Sequence, residues 1–141
     1  LKGILTNEHP ESSNTCREQV AVAEYIDCCY VTATNVMRWN IAKQLLLVPV
    51  DDGIQSDVAK LLDALSIPSY DRKLLAEYMN TVALQETQNV ARALECQQVD
   101  SRLGFEASME YVFDPDTAAW KNKVTQESLL LLKQYCLNLD K

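Results

Sequence analysis

Glycine and proline are scarce: the chain holds 3 Gly and 4 Pro in 141 residues. A sheet-rich fold of this length needs a turn every ~8–12 residues, and the residues that make tight turns are missing. A glycine-rich phosphate-binding loop is excluded on the same count. Histidine is scarcer still. The single His9 lies in a polar leader, which removes a Ser–His or Cys–His nucleophilic pair and the paired Glu-x-x-His motifs of di-iron bundles. Haem and blue-copper sites lack their ligands too. Cysteine is present without pairing: Cys16, Cys28, Cys29, Cys96 and Cys136 show no CxxC spacing. Adjacent residues on a helix point about 100° apart, so Cys28 and Cys29 cannot share a metal. These thiols read as reduced, small apolar core residues in a cytoplasmic setting. No metal and no cofactor are expected.

Positive charge is also in deficit. Against 20 Asp and Glu stand 13 Lys and Arg, a net charge of −7, and the basic residues form no stripe. Nucleic acid and anionic membranes are therefore not expected partners. The longest apolar run, Leu129-Leu130-Leu131-Leu132, falls far short of the ~20 residues that span a bilayer. No secretory pattern opens the chain.

What remains is ordinary globular composition, 48% hydrophobic and 23% charged, in long stretches free of breakers. Residues 1–13 read as a polar leader or interdomain junction, and residues 14–141 as one domain. Thr15 and Glu18 form a capping box that opens a helix over about 15–47. Its apolar positions are Ile26, Cys29 or Tyr30, Ala33, Met37, Asn40 or Ile41, and Gln44 or Leu45. After a break at Pro49–Gly53, residues 54–66 place Val58, Leu61, Leu62 and Leu65 on one face. Ser69 or Asp71 caps a helix to about Gln98, with Leu75, Met79, Val82, Glu86, Asn89 or Val90, and Ala93 as its seam. Residues 99–114 read as an ordered loop with a helical turn near 107–111. Asp114 and Pro115 start a last helix to about 138, with Trp120, Val124, Leu131 and Tyr135 inward. The expected fold is all-α, an elongated antiparallel bundle of three long helices and one short one.

Candidate functional residues fall in two groups. Arg102, Phe105, Glu106, Met109, Glu110 and Tyr111 crowd the loop before the last helix. There Arg102 pairs with an acid and Gly104 allows a tight turn. Glu106 and Glu110 on one helical face would make a small carboxylate hydrolase. Asn35, Arg38 and Asn40 on the first long helix, with Glu86, Asn89 and Arg92 on the second, form a polar seam that fixes register, with an Arg38–Glu86 pair as its centre. Trp39 and Trp120 are expected to anchor the core.

Two stretches, NVMRWNIAKQ at 35–44 and DSRLGFEASMEYVFDPDTAAWK at 100–121, resemble the C-terminal helical region of large bacterial glycoside-hydrolase-like proteins. The matching residues include Asp100, Ser101, Arg102, Leu103, Gly104, Glu106, Ser108, Met109, Tyr111, Trp120 and Lys121. The resemblance implies a non-catalytic helical accessory domain whose partner is a neighbouring catalytic domain or another copy of itself, with carbohydrate a candidate ligand. It assigns no catalytic residue to this chain. The competing expectation is a free-standing helical interaction or regulatory module.

Overall fold

A computed structural model describes residues 10–47, 55–67, 70–106 and 111–139. These residues form four helices and one two-stranded ladder, so the all-α class holds. Helix α1 runs Pro10–Leu47, α2 Gln55–Ala64, α3 Arg72–Val99 and α4 Pro115–Leu139. Three long helices and one short one match the expectation. The start of α1 lies five residues before the Thr15 cap, with proline at the first helical position, where its missing N–H has no helical partner to lose. Residues 10–13, read as leader, are thus helical, while residues 1–9 and the break at 49–53 lie outside the described residues.

The helix ends follow from side-chain chemistry. Asp71, extended at φ −145°, ψ 126°, accepts from the backbone N–H groups of Lys73 at 2.7 Å and Leu74 at 3.0 Å. Asp114 accepts from Thr117 N–H at 2.8 Å and caps α4. Helix α2 closes with a Schellman motif: Ile67 N–H donates to Leu62 O at 2.8 Å and Ser66 N–H to Asp63 O at 2.9 Å. The motif holds Ser66 at φ 57°, a left-handed conformation that glycine adopts without Cβ strain. Ser66→Gly is expected to stabilise the fold by about 0.5–1 kcal/mol, read as a higher urea midpoint at unchanged slope. A lower midpoint would refute it.

Helix α3 is the central element. Both α1 and α4 pack on it, and both run antiparallel to it. Asp27 meets Arg92, Cys28 meets Asn89, Thr32 meets Glu86 and Leu45 meets Tyr70. Along α4, Phe113 meets Gln97 and Lys121 meets Glu86. The α3 seam lies where its spacing predicts, with Leu75, Met79, Val82, Glu86, Asn89, Val90 and Ala93 all buried. Of the four apolar positions expected on the short helix, Val58 and Leu62 of α2 and Leu65 just past its end are buried, and Leu61 faces out.

The other two long helices bury different faces from those expected. On α1 the buried line is Ala21, Tyr25, Cys28, Asn35, Ala42 and Leu46, with Thr32 and Trp39 half-buried between them. Its alternating four- and three-residue steps are those of a coiled-coil seam. Of the expected line, Ile26, Cys29, Tyr30, Ala33, Met37, Asn40 and Gln44 are exposed, while the alternatives Ile41 and Leu45 are half-buried and buried. Two residues separate the lines, which sets them on opposite sides of the helix. On α4 the inner face is Ala118, Lys121, Thr125, Ser128, Leu132 and Tyr135. Trp120 and Leu131, read as inward, are 65% and 67% exposed, and Val124 is exposed as well. Trp39 does pack on the core; Trp120 does not.

Two apolar clusters hold the ends. One gathers Ala42, Leu45, Leu46, Val58, Leu62, Leu65, Leu75, Met79 and Leu132 from all four helices. The other gathers Ala21, Tyr25, Cys28, Ala93 and Cys96 beneath Leu103 and Phe113. Among the described residues no helix is long and apolar enough to cross a membrane.

Candidate functional site

Between the two apolar clusters lies a polar layer drawn from three helices. Glu86 of α3 is 8% exposed, and its carboxylate is surrounded by donors. Thr32 Oγ1–H donates to Oε1 at 2.6 Å and Asn35 Nδ2 donates to Oε2 at 2.8 Å, both from α1. From α4, Lys121 Nζ forms an ion pair with Oε1 and lies 3.4 Å from Thr32 Oγ1. Asn89, one turn along α3, donates from Nδ2 to Cys28 O at 2.8 Å and to Thr32 Oγ1 at 3.1 Å. Those acceptors fix its amide orientation, since the reverse would face oxygen against oxygen. Lys121 Nζ also sits 5.4 Å from the centroid of the Phe113 ring, a cation–π distance.

Of the six residues expected in this seam, the structure unites Asn35, Glu86 and Asn89, while Arg92 pairs with Asp27 at the surface. Arg38 and Asn40 are exposed, and the cation on Glu86 is Lys121. The reason is helical phase. Asn35 falls on the buried line of α1, and Arg38 lies three residues on, toward its solvent flank. Thr32 and Lys121 fall in neither candidate group. Lys121 becomes legible as an inward residue only once Ala118, Thr125 and Leu132 are seen at heptad spacing around it.

Two cavities flank the ion pair. One of about 210 Å³ is lined by Asn35, Trp39, Val82, Glu86 and Val124. A second of about 120 Å³ lies towards Tyr25, Cys29, Asn89 and Phe113. Lys121 borders both. Asn89 Oδ1 is buried without a hydrogen-bond partner, whereas the Glu86 carboxylate is fully engaged. Both Glu86 oxygens are engaged by donors, which leaves the carboxylate poorly placed to take a proton from a substrate. Burial pushes the Cys28 and Cys96 thiols up, away from the thiolate form a nucleophile needs.

The second candidate group surrounds the turn after α3. Asp100, 7% exposed, accepts from Arg102 through backbone N–H at 3.0 Å, Nε at 2.8 Å and Nη2 at 2.7 Å. Arg102 Nη2 also reaches Glu18 Oε2 at 3.5 Å, tying the turn to α1. Gly104 follows at φ +88°, where an added Cβ would stand 2.6 Å from Phe113 O and crowd Gln97 Nε2. Only glycine fits there. Residues Phe105–Glu106 and Tyr111–Val112 form an antiparallel ladder, Phe105 opposite Val112 and Glu106 opposite Tyr111. The expected helical turn near 107–111 falls on residues 107–110, outside those described, except for Tyr111, which is extended. Met109 and Glu110 lie outside the described residues, so the Glu106–Glu110 pair is not assembled within them. Phe105 is 57% exposed; Phe113 is the aromatic that covers the bundle end.

The guanidinium of Arg102 holds the Asp100 carboxyl down to about 2. An unfolded-chain aspartate takes its proton near pH 3.9. The clasp is therefore fully stabilising above that value and is lost as pH falls from about 4 to about 2. Urea unfolding across that window should lose stability more steeply for the natural chain than for Asp100→Asn. Equal slopes would refute the clasp.

Compared with known proteins, no family model, curated protein or solved structure matches the chain. Among the described residues no group of three or more His, Cys, Asp or Glu side chains is placed to hold a metal ion.

Proposed function

We propose that the chain is a non-catalytic helical scaffold domain that presents an interdomain or oligomer interface, accessory to a larger bacterial carbohydrate-active enzyme. The observation that carries the interface is the second line of α1. Ile26, Tyr30, Met37 and Leu47 are 51%, 71%, 64% and 62% exposed, on a helix that already buries its opposite face against α3. Large apolar side chains aligned at coiled-coil spacing on a solvent face mark a surface made for a partner. In this reading α1, α3 and α4 make an elongated antiparallel bundle, and the Glu86 layer fixes its register.

The link to carbohydrate-active enzymes rests on the resemblance in residues 35–44 and 100–121. Several of those residues have structural work here: Asn35 and Lys121 bind Glu86, and Asp100, Arg102 and Gly104 build the turn. Such roles suit a domain kept for its shape. The test is to sequence the reading frame upstream of Leu1 and titrate this chain, by calorimetry, with any domain encoded there. Binding that weakens at least tenfold in Ile26→Glu/Met37→Glu supports the accessory reading. A natural start codon at the head of this chain would favour the free-standing interaction module instead.

A further inference from the structure

We infer that the exposed line of α1 pairs with the same line of a second copy, antiparallel, about a two-fold axis level with residues 31–32. The inference rests on the interface reading above and names its partner.

The argument is self-complementarity. In an antiparallel coiled coil, a positions of one helix meet d positions of the other. With Tyr30 and Met37 at a, and Ile26 and Ala33 at d, a single two-fold satisfies every layer. Tyr30 faces Ala33 of the second copy, and Ile26 faces Met37 of the second copy. Each large ring therefore meets a small residue, and medium meets medium, the alternation that fills a seam without voids. Asn40 falls opposite Ala23 at the outer edge, where a polar residue keeps its water.

Charge selects the direction. Glu24 and Asp27 lie towards the N-terminal side of that axis, and Arg38 and Lys43 towards the C-terminal side. Antiparallel pairing brings Glu24 within one residue of the level of Arg38 of the second copy, twice along the same rim. Parallel pairing would set acid level with acid, base level with base, and Tyr30 against Tyr30, which is disfavoured on both counts. Arg38 has no ion-pair partner within its own chain among the described residues, which leaves its guanidinium available for the rim contact. Pairing through a single such stripe is expected to be weak and concentration-dependent rather than obligate.

Sedimentation of the intact chain under reducing conditions, across micromolar concentrations, should show a monomer–dimer equilibrium. Tyr30→Glu/Met37→Glu should shift it at least tenfold towards monomer with unchanged helical circular dichroism, because both side chains face solvent. Orientation is read separately by Val36→Cys. Flanking positions of an antiparallel seam meet like with like, so the thiol introduced at position 36 of one copy lies beside the native Cys29 of the other. A mild oxidant should then yield a covalent dimer from Val36→Cys that is lost in Cys29→Ser/Val36→Cys. A chain monomeric at every concentration, a dimer indifferent to the glutamates, or a cross-link that survives Cys29→Ser each overturns the pairing. If the chain is monomeric yet binds an upstream domain through Ile26 and Met37, self-pairing falls while the scaffold reading stands.

Discussion

Lys121→Met is expected to destabilise the fold by about 2–3 kcal/mol, a fall in Tm of roughly 8 °C. The substitution keeps the length and apolar stem of the side chain while removing the charge that faces Glu86. The carboxylate retains hydrogen bonds from Thr32 and Asn35, but it sits 10% exposed without a counter-ion. Removing one partner of a fully buried pair costs about 3–5 kcal/mol; the value here is lower because the Lys121 side chain is 26% exposed. The double variant Glu86→Leu/Lys121→Met should recover at least half of the loss, since it leaves no uncompensated charge. Chemical unfolding followed by circular dichroism measures all three proteins. A Lys121→Met chain within about 0.5 kcal/mol of the natural one, the range of ordinary surface substitutions, would mean that Glu86 draws no support from this contact.

Leu75→Ala should cost more, about 3–4 kcal/mol. Leu75 is 0% exposed and lies in the cluster to which all four helices contribute. Its neighbours sit on separate helices with their own seams to keep, so they cannot close on the space left by three lost carbon atoms. The loss therefore includes a cavity as well as the transfer of the side chain. Leu131→Ala, one residue from buried Leu132 on α4 but 67% exposed, is the matched control and should change stability by less than about 0.5 kcal/mol. If the two losses were equal, the assignment of the inner face of α4 would be wrong.

These contrasts show where sequence patterning was enough. Helix α3 is packed by α1 and α4, and its one apolar line at three- and four-residue steps left a single answer, which the structure keeps. The same holds for the caps: Asp71 and Asp114 act through their own backbone neighbourhood, and no distant residue is needed to place them. Helix α1 differs because it carries two heptad lines. The line of Ile26, Tyr30 and Met37 carries large apolar residues, yet α3 takes the line that alternates Tyr25, Trp39 and Leu46 with the smaller Ala21, Cys28, Asn35 and Ala42. Small residues let two helices approach closely, and the polar ones among them find partners on α3 and α4. Hydrophobicity ranks single faces; it cannot rank pairs of faces that must fit each other.

Helix α4 shows the same limit on a smaller scale. Its inner line runs through Ala118, Lys121, Thr125 and Ser128, weak apolar residues beside a conspicuous Trp120. Lys121 is drawn inward by Glu86, and that orientation turns Trp120 to solvent. The candidate site was likewise half legible. Glu86 and Asn89 stood out as polar residues inside an apolar seam, whereas Thr32 and Lys121 gain their role only from what they touch. At the turn after α3, Arg102 and Gly104 were legible because a two-residue ion clasp and a positive φ are local demands. The ladder at Phe105–Glu106 and Tyr111–Val112 was not, since pairing two short strands depends on how Phe113 and Gly104 meet.

The scarcity of glycine and proline settled by itself that the chain is built of long helices. It also set where the helices stop, because caps and breakers act within a turn or two of chain. Which face of α1 and α4 turns inward, which cation answers Glu86, and which apolar side chains stay exposed were decided by tertiary structure alone. Those outcomes depend on the fit between surfaces distant in sequence, and burying a charge is tolerable only where another element brings its counter-charge.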